Sequence, residues 1–384
     1  MLNVKITNLN DTLHDVFLAL GSNMGNRYEQ LQQAVDMLFE EVGAVHKISS
    51  VYESPAMGFE GPAFLNCVIW MRTRLSSTKV LKAVLSIEKS MGRERGDSHG
   101  YASRPIDIDV LFYDAEVKAS KRLTIPHPEM ESRRFVLQPM AEVHAQWVHP
   151  VSEKNMVRLL AETPDKTNLV KQSKWLRNPI KNIDFARFNY IAIEGNIGAG
   201  KTSLSTQMAG EFNAKLILER FKDNPFLPKF YKDQQRYAFP LEMSFLADRY
   251  QQLVEDIAQF DLFKDCVITD YDLYKSLIFA QVTLAEEEFN LYKKLFQIMH
   301  KELPQPDVYV YLYQSTERLL ENIKKRGRSY EQDIQPEYLQ KIHEGYFNYI
   351  KAQPAEKVKV IDVSDLDFVK NRSDYLSLVR TIVS

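Results

Sequence analysis

Cysteine is nearly absent from this chain of 384 residues, which holds two, Cys67 and Cys266. Each lies in a strand-like apolar run, so a disulfide framework is excluded and reduced core thiols are expected. A dominant charge is lacking as well. Lysine and arginine number 49 against 51 aspartates and glutamates, a formal net charge of −2. That balance gives no electrostatic reason to expect nucleic acid or a membrane surface as a partner. Local basic clusters such as KKRGR (324–328) suit small anions instead. No run approaches the roughly 18 apolar residues of a membrane span. The opening MLNVKITNLNDTLHD lacks the basic-then-apolar order of a secretory leader, so a cytoplasmic protein is expected. Internal repeats and low-complexity tracts are missing too.

What is present is ordinary globular material, 45% hydrophobic and 26% charged, enough for real cores. The length predicts two domains. Composition shifts around KTNLVKQSKWLRNPIKN, which is polar and has no periodicity, and a fresh strand follows in FNYIAIEG. This predicts a first domain over 1–164, a linker over 165–186 in which Trp175 docks, and a second domain over 187–384. In the first, the strands DVFLALG, FLNCVIWMRTRL and IDIDVLFYD surround the helices RYEQLQQAVDMLFEEVG and SSTKVLKAVLSIEKSMG. That order predicts an α+β sandwich of ferredoxin-like type. In the second, the short buried strands YIAIEG, AKLILE, CVITD, PDVYVYLY and KVKVIDVS alternate with long helices. They predict an α/β fold with a doubly wound parallel sheet.

Within RPIDIDVLFYD (104–114), strand alternation puts Ile106, Ile108, Val110 and Phe112 on one face. Asp107 and Asp109 share the other, about 7 Å apart along the strand. Adjacent like charges call for something positive beside them. Glu88, Arg93, Arg95 and Arg104 lie within about twenty residues, and TIPHPEMESRRF adds His127, Arg133, Arg134 and Phe135. Two aspartates offer only oxygen ligands, which suit Mg²⁺, and arginines suit polyphosphate. The chemistry that fits is transfer of a phosphoryl or pyrophosphoryl group from ATP.

These residues, with IPHPEMESRRFVLQPM, closely resemble 6-hydroxymethyl-7,8-dihydropterin pyrophosphokinase over about residues 15–150. The resemblance implies attack of the pterin hydroxymethyl oxygen on the β-phosphorus of ATP, a step of folate synthesis. It implies that Asp107 and Asp109 hold two Mg²⁺, that Arg93 and Arg104 clamp phosphates, and that Glu88, His127 and Arg133 serve the nucleotide side. Phe135 would stack on the pterin, Asn66 would read its edge, and Ser54, Pro55 and Met57 would complete the slot. The indole found before the strand arginine in many members is Tyr101 here, and the loop RERGDSHG also departs.

EGNIGAGKTS (194–203) fits G-x-x-x-x-G-K-[ST] between a strand and a helix. Gly195, Asn196, Gly198, Ala199 and Gly200 would turn backbone N–H groups toward phosphates, aided by the helix N-terminus. Lys201 would reach the β/γ-phosphates and Thr202 would ligate one Mg²⁺. Glu219 ends strand two and Asp270 ends strand three, where open α/β sheets build their sites. A GTPase's Asn-Lys-x-Asp motif does not occur.

Over about residues 189–364 this constellation resembles the deoxynucleoside kinase family. The resemblance implies that Glu219 is the general base for the sugar 5′-hydroxyl and that Asp270 positions Mg²⁺ with Thr202. It makes Arg326 and Arg328 lid residues over the ATP phosphates. Tyr231 and Glu331 would grip the 3′-hydroxyl, and Phe239 would stack on the base. Three positions depart from the family: the base-reading glutamine is Glu242, the arginine after strand three is Tyr271, and a common aromatic is Asn224. Lys275 or Arg220 could replace the lost charge. Kinases of this type pair through helices, so a homodimer through the second domain is expected. Two other readings of the second half stand beside this one, a nucleotide-sensing module and a nucleoside monophosphate kinase. Which deoxynucleoside is preferred is open at this stage.

Overall fold

Strand β1 (His14–Ser22) is apolar on both sides, because both of its faces are covered. Val16, Leu18 and Leu20 alternate with Phe17, and all four are buried. In the computed structural model the described residues are 12–93, 103–185, 187–220, 224–230, 232–258, 264–328 and 331–384. They fall into two compact units, Met1–Ile183 and Asp184–Ser384.

The first unit runs β1, α1 (Arg27–Glu41), β2 (Ala44–Ile48), β3 (Tyr52–Ser54), β4 (Phe64–Thr73), α2 (Ser77–Ser90) and β5 (Asp107–Tyr113). A short hairpin follows, β6 (Lys118–Ala119) with β7 (Thr124–Ile125), and then α3 (Arg134–His144) and α4 (Met156–Glu162). The sheet order is β5-β1-β4, with β2 and β3 both pairing β4, and every pairing is antiparallel. Helices α1 and α2 pack on β1 and β5. Helices α3 and α4 cover the Phe17 face through Val136, Leu137, Met140 and Leu159.

Alternation along β5 breaks once. Phe17 pairs with Phe112 but Leu18 with Val110, so Leu111 is the extra residue of a bulge. Phe112, expected beside Val110, therefore joins Leu111 and Phe17 in the α3 core. Asp107 and Asp109 precede the bulge and share a face as alternation predicts, opposite Gly21 and Ala19.

The segment expected as a linker is strapped to the first unit as far as residue 183. Strand β8 (Val170–Lys171) pairs with β3, and Gln172 N–H donates to Val51 O at 2.9 Å. Further on, Arg177 N–H donates to Gln32 Oε1 at 2.8 Å and Asn178 Nδ2 to Val45 O at 2.8 Å. Docking thus runs through backbone groups; the Trp175 side chain is 61% exposed.

The second unit carries a parallel sheet of β9 (Tyr190–Gly195), β10 (Lys215–Ile217), β11 (Val267–Thr269), β12 (Val308–Tyr313) and β13 (Val358–Asp362). Its order is β10-β11-β9-β12-β13. Each of the five strand-like runs in the sequence forms a strand. Helices α5 (Lys201–Glu211), α6 (Leu227–Phe230), α7 (Gln234–Ala258), α8 (Tyr274–Thr283), α9 (Glu286–His300), α10 (Thr316–Arg326), α11 (Pro336–Lys351) and α12 (Arg372–Val383) complete it. The strand order reverses direction at β9, and a cleft opens beyond the carboxyl ends there, as such sheets dictate. Among the described residues, no helix is long and apolar enough to cross a membrane.

Candidate active sites

In the first unit, a cleft at the end of the sheet is lined by Ser54, Pro55, Met57, Asn66, Arg104, Asp107, Asp109, Arg133 and Phe135. All were singled out in the sequence. Glu88 lies beneath them, 2% exposed, and accepts from Ile108 N–H at 2.8 Å and from Arg93. Arg93 also donates to Asp107 Oδ1 at 2.5 Å, while Arg104 Nη1 lies 2.9 Å from Oδ2. The positive partner that paired aspartates demand is therefore two arginines, both directed at Asp107. Among the described residues, Asp109 has no arginine ion pair of this kind. Burial and then Asp107 push its carboxyl up to about 7, against the pull of Arg133, although 37% of the side chain opens into the cleft.

His127 stands 4.0 Å from Asp109. Glu129 N–H donates to its Nδ1 at 3.3 Å, which leaves the hydrogen of a neutral ring on Nε2, facing the aspartate. Burial and then Arg133 lower its pKa, so the ring is neutral at neutral pH. Arg133 caps the Phe135 ring at 5.8 Å, and Asn66 Nδ2 donates to Ser54 Oγ at 2.9 Å. Sequence reasoning passed over Phe59 and Phe64, which form an edge-to-face pair on the slot wall. It also passed over Asn23, whose Oδ1 accepts from Arg104 N–H at 2.7 Å and ties the first turn to the arginine. Arg95, Tyr101 and most of RERGDSHG lie outside the described residues.

In the second unit the loop after β9 is built for close approach. Gly200, at φ +88°, forms the N-terminus of α5, and a Cβ there would meet Phe368 Cζ at 2.7 Å. Asn322 Nδ2 holds Gly198 O at 3.0 Å, and Asn196 Nδ2 holds Leu339 O at 2.8 Å. Gly195 and Ala199 complete the loop. Lys201 Nζ donates to Gly195 O and Asn196 O at 2.8 and 2.9 Å. Burial and then Lys275 lower its pKa to about 8. Thr202 Oγ1 donates to Asp270 Oδ2 at 2.5 Å, and Asp270 Oδ1 accepts from Glu219 N–H at 2.7 Å.

The Glu219 carboxylate accepts from Arg249 Nε and Nη2 on Oε1, at 2.8 and 2.6 Å, and from Lys275 Nζ on Oε2 at 2.5 Å. Against its burial, Lys275 and then Arg249 hold it far below the usual carboxylate range. Tyr271, in place of the family arginine, is fully buried in the core. Lys275 supplies a cation there, whereas Arg220 points away to Asp256 at 3.4 Å. Arg249 was missed. Its signal is spacing: Glu242, Phe245 and Arg249 recur at i, i+3 and i+7, one face of α7. Arg326, Arg328 and Glu331 meet at the cleft, the arginines both pairing with the glutamate. Glu242 lines the cleft with Phe230, Phe245 and Phe279. Phe239, expected to stack on a base, is not among the lining residues, and Tyr231 lies outside the described residues.

The chain thus carries two clefts on two kinds of sheet, one beside paired carboxylates and one beside a glycine-rich loop. A family model described as Deoxynucleoside kinase matches residues 191–384, and one described as 7,8-dihydro-6-hydroxymethylpterin-pyrophosphokinase matches residues 17–145. The chain belongs to both families, the pyrophosphokinase in its first half and the kinase in its second. It is 40% identical over 190 residues to deoxyguanosine kinase of Bacillus subtilis, an alignment that takes 48% of this chain and 92% of that protein. It is 41% identical over 138 residues to 2-amino-4-hydroxy-6-hydroxymethyldihydropteridine pyrophosphokinase of Porphyromonas gingivalis, taking 35% and 93%. A solved deoxyadenosine kinase from M. mycoides with bound dATP is 27% identical, over 49% of this chain and 97% of that one, with a TM-score of 0.43.

Proposed function

We propose that the chain is a bifunctional ATP-dependent transferase. Residues 12–183 transfer pyrophosphate from ATP to the hydroxymethyl group of a dihydropterin, and residues 184–384 transfer the γ-phosphoryl group of ATP to the 5′-hydroxyl of a deoxynucleoside. One feature of both clefts carries this reading: each sets a polyphosphate cradle beside an aromatic slot that ends in a polar reader. The ferredoxin-like assignment of the first unit is supported by its strand order, β5-β1-β4-β2/β3.

In the first cleft, the pterin stacks on Phe135 under the Arg133 cap, and Asn66, oriented by Ser54, reads its edge. Arg93 and Arg104, both paired with Asp107, stabilise charge on the phosphates. Asp107 and Asp109 offer hard oxygen donors on one strand face, and Asp109 is a carboxyl that added positive charge would ionise. They fit two Mg²⁺ whose shells are completed by substrate phosphates, and bound there the metal neutralises charge on the triphosphate. His127 and Arg133 hold the nucleotide side.

In the second cleft, the backbone of 195–200 and Lys201 cradle the phosphates, and Thr202 with Asp270 offers oxygens for one Mg²⁺. Glu219 takes the proton of the sugar 5′-hydroxyl. Arg249 fixes Oε1 in a two-pronged grip, leaving Oε2, shared with Lys275, to face the hydroxyl. Arg326 and Arg328 form the lid, and Glu331, which they hold, grips the sugar 3′-hydroxyl together with Tyr231.

Labelled ATP offered with the hydroxymethyldihydropterin and with each deoxynucleoside tests both halves. Asp107→Ala is expected to remove pyrophosphate transfer alone. Glu219→Gln should lower deoxynucleoside phosphorylation by about 10²–10⁴-fold and leave pyrophosphate transfer intact. Turnover of no deoxynucleoside by the unaltered chain would favour a nucleotide-sensing second half, and faster turnover of a monophosphate would favour a monophosphate kinase.

A further inference from the structure

Glu242 is 3% exposed and lines the second cleft, whose apolar lining includes Phe230, Leu241, Phe245 and Phe279. An acid in such a place is costly unless something polar answers it. The Thr283 hydroxyl donates to its Oε1 at 3.1 Å. Nearby charges belong to Arg249 on the same helix, Lys275 on α8 and Glu219 at the end of β10. Both cations are spent on Glu219, and neither forms an ion pair with Glu242 among the described residues. From α9, the Tyr292 hydroxyl donates to the Glu242 backbone carbonyl at 3.4 Å and also feels the charge of the carboxyl. The cleft therefore offers an entering group a planar carboxyl, braced by one hydroxyl, among aromatic lining residues.

We propose that Glu242 sets base choice in this cleft by accepting two adjacent N–H donors, the pattern carried by the N1–H and 2-amino edge of guanine. The proposal rests on the kinase reading of the site and deepens it by naming the base. Adenine and cytosine present a ring acceptor beside an amino donor, which an amide or a protonated acid matches and a carboxylate repels. Hypoxanthine keeps N1–H but lacks the 2-amino group, so it forfeits one of the two bonds. Thymine flanks its one N–H with two carbonyl acceptors. Loss of a hydrogen bond to a buried charged group leaves that group unpaired, which is why such sites discriminate strongly.

A pH dependence follows. Burial raises the Glu242 carboxyl to about 7, against the pull of Arg249 and Lys275. Below that pH the protonated acid offers one donor and one acceptor, the match for adenine. Above it the two-acceptor form prevails.

The test is kcat/KM of the full chain for deoxyguanosine, deoxyinosine and deoxyadenosine between pH 6 and 8.5. Deoxyguanosine should exceed deoxyinosine by about tenfold or more at pH 8. The deoxyguanosine-to-deoxyadenosine ratio should climb as pH rises through 7. Glu242→Gln should flatten that climb and move the ratio toward adenine by about tenfold or more. Equal use of deoxyguanosine and deoxyinosine by the unaltered chain overturns the proposal, and so does a ratio that ignores pH; neither needs a variant that folds. If no nucleoside is phosphorylated, the kinase reading fails on its own. Equilibrium titration with the same three nucleosides then decides base choice, and deoxyguanosine binding no tighter than deoxyinosine overturns it.

Discussion

Asp109 and Glu219 are both carboxylates at the mouth of a cleft, yet their surroundings drive them in opposite directions. Arg249 and Lys275 keep Glu219 ionised, so its stabilising contribution is complete above the ordinary carboxylate range and is lost only in acid. Asp109, raised to about 7, carries the reverse sign: the unfolded chain gives up this proton at lower pH than the folded one. Its penalty on stability begins near the unfolded value and grows until pH passes 7. Asp109→Asn should therefore raise the melting temperature of the unliganded first unit, by roughly 2–4 °C at pH 8 and by less at pH 5. The same change should abolish pyrophosphate transfer. A gain that is equal at both pH values, read by calorimetry, would mean that Asp109 is not held in this way. That these carboxylates would line a cleft was largely legible from the sequence, because their spacing matched a chemistry. What each carboxylate is bonded to was not. Arg249 reaches Glu219 across 30 positions, and only folding decides that contact.

At the scale of elements, the glycine-rich turn shows how a local pattern can require a distant partner. Gly200 needs a left-handed backbone, which its own motif explains, but a side chain there would also collide with Phe368, whose Cζ lies 2.7 Å from where a Cβ would stand. Gly200→Ala is expected to destabilise the second unit by about 1–2 kcal/mol through the backbone alone. It should also raise the KM for ATP in deoxynucleoside phosphorylation about tenfold or more while leaving pyrophosphate transfer unchanged. An unaltered KM would show that the loop tolerates the methyl group. Strand β5 teaches a similar lesson. Its alternation is plain in the sequence, but the bulge at Leu111 is set by the register with β1, so the side on which Phe112 lands could not be read from composition. The strap over 165–183 also evaded the sequence. Its links to the first unit are a two-residue strand pairing and hydrogen bonds that mix backbone and side-chain groups, and these leave no hydrophobic periodicity to detect.

For the whole molecule, the two units have separate cores and separate substrates. Two melting transitions are expected, and a deoxynucleoside at 100 times its dissociation constant should stabilise only one of them, by about 2.7 kcal/mol. If both transitions shift together, the halves are coupled. The sequence by itself determined β1, β4 and β5 of the first sheet, all five strands of the second, the glycine-rich loop, the paired aspartates and the two-family organisation, because each depends on residues close together along the chain. The tertiary structure decided which cations hold Glu219, that Tyr271 is buried in the core, which phenylalanines line the second cleft, and where the first unit ends. The reason is physical. Hydrogen bonds and burial between residues far apart in sequence are selected by packing, and no local pattern encodes which partners packing will bring together.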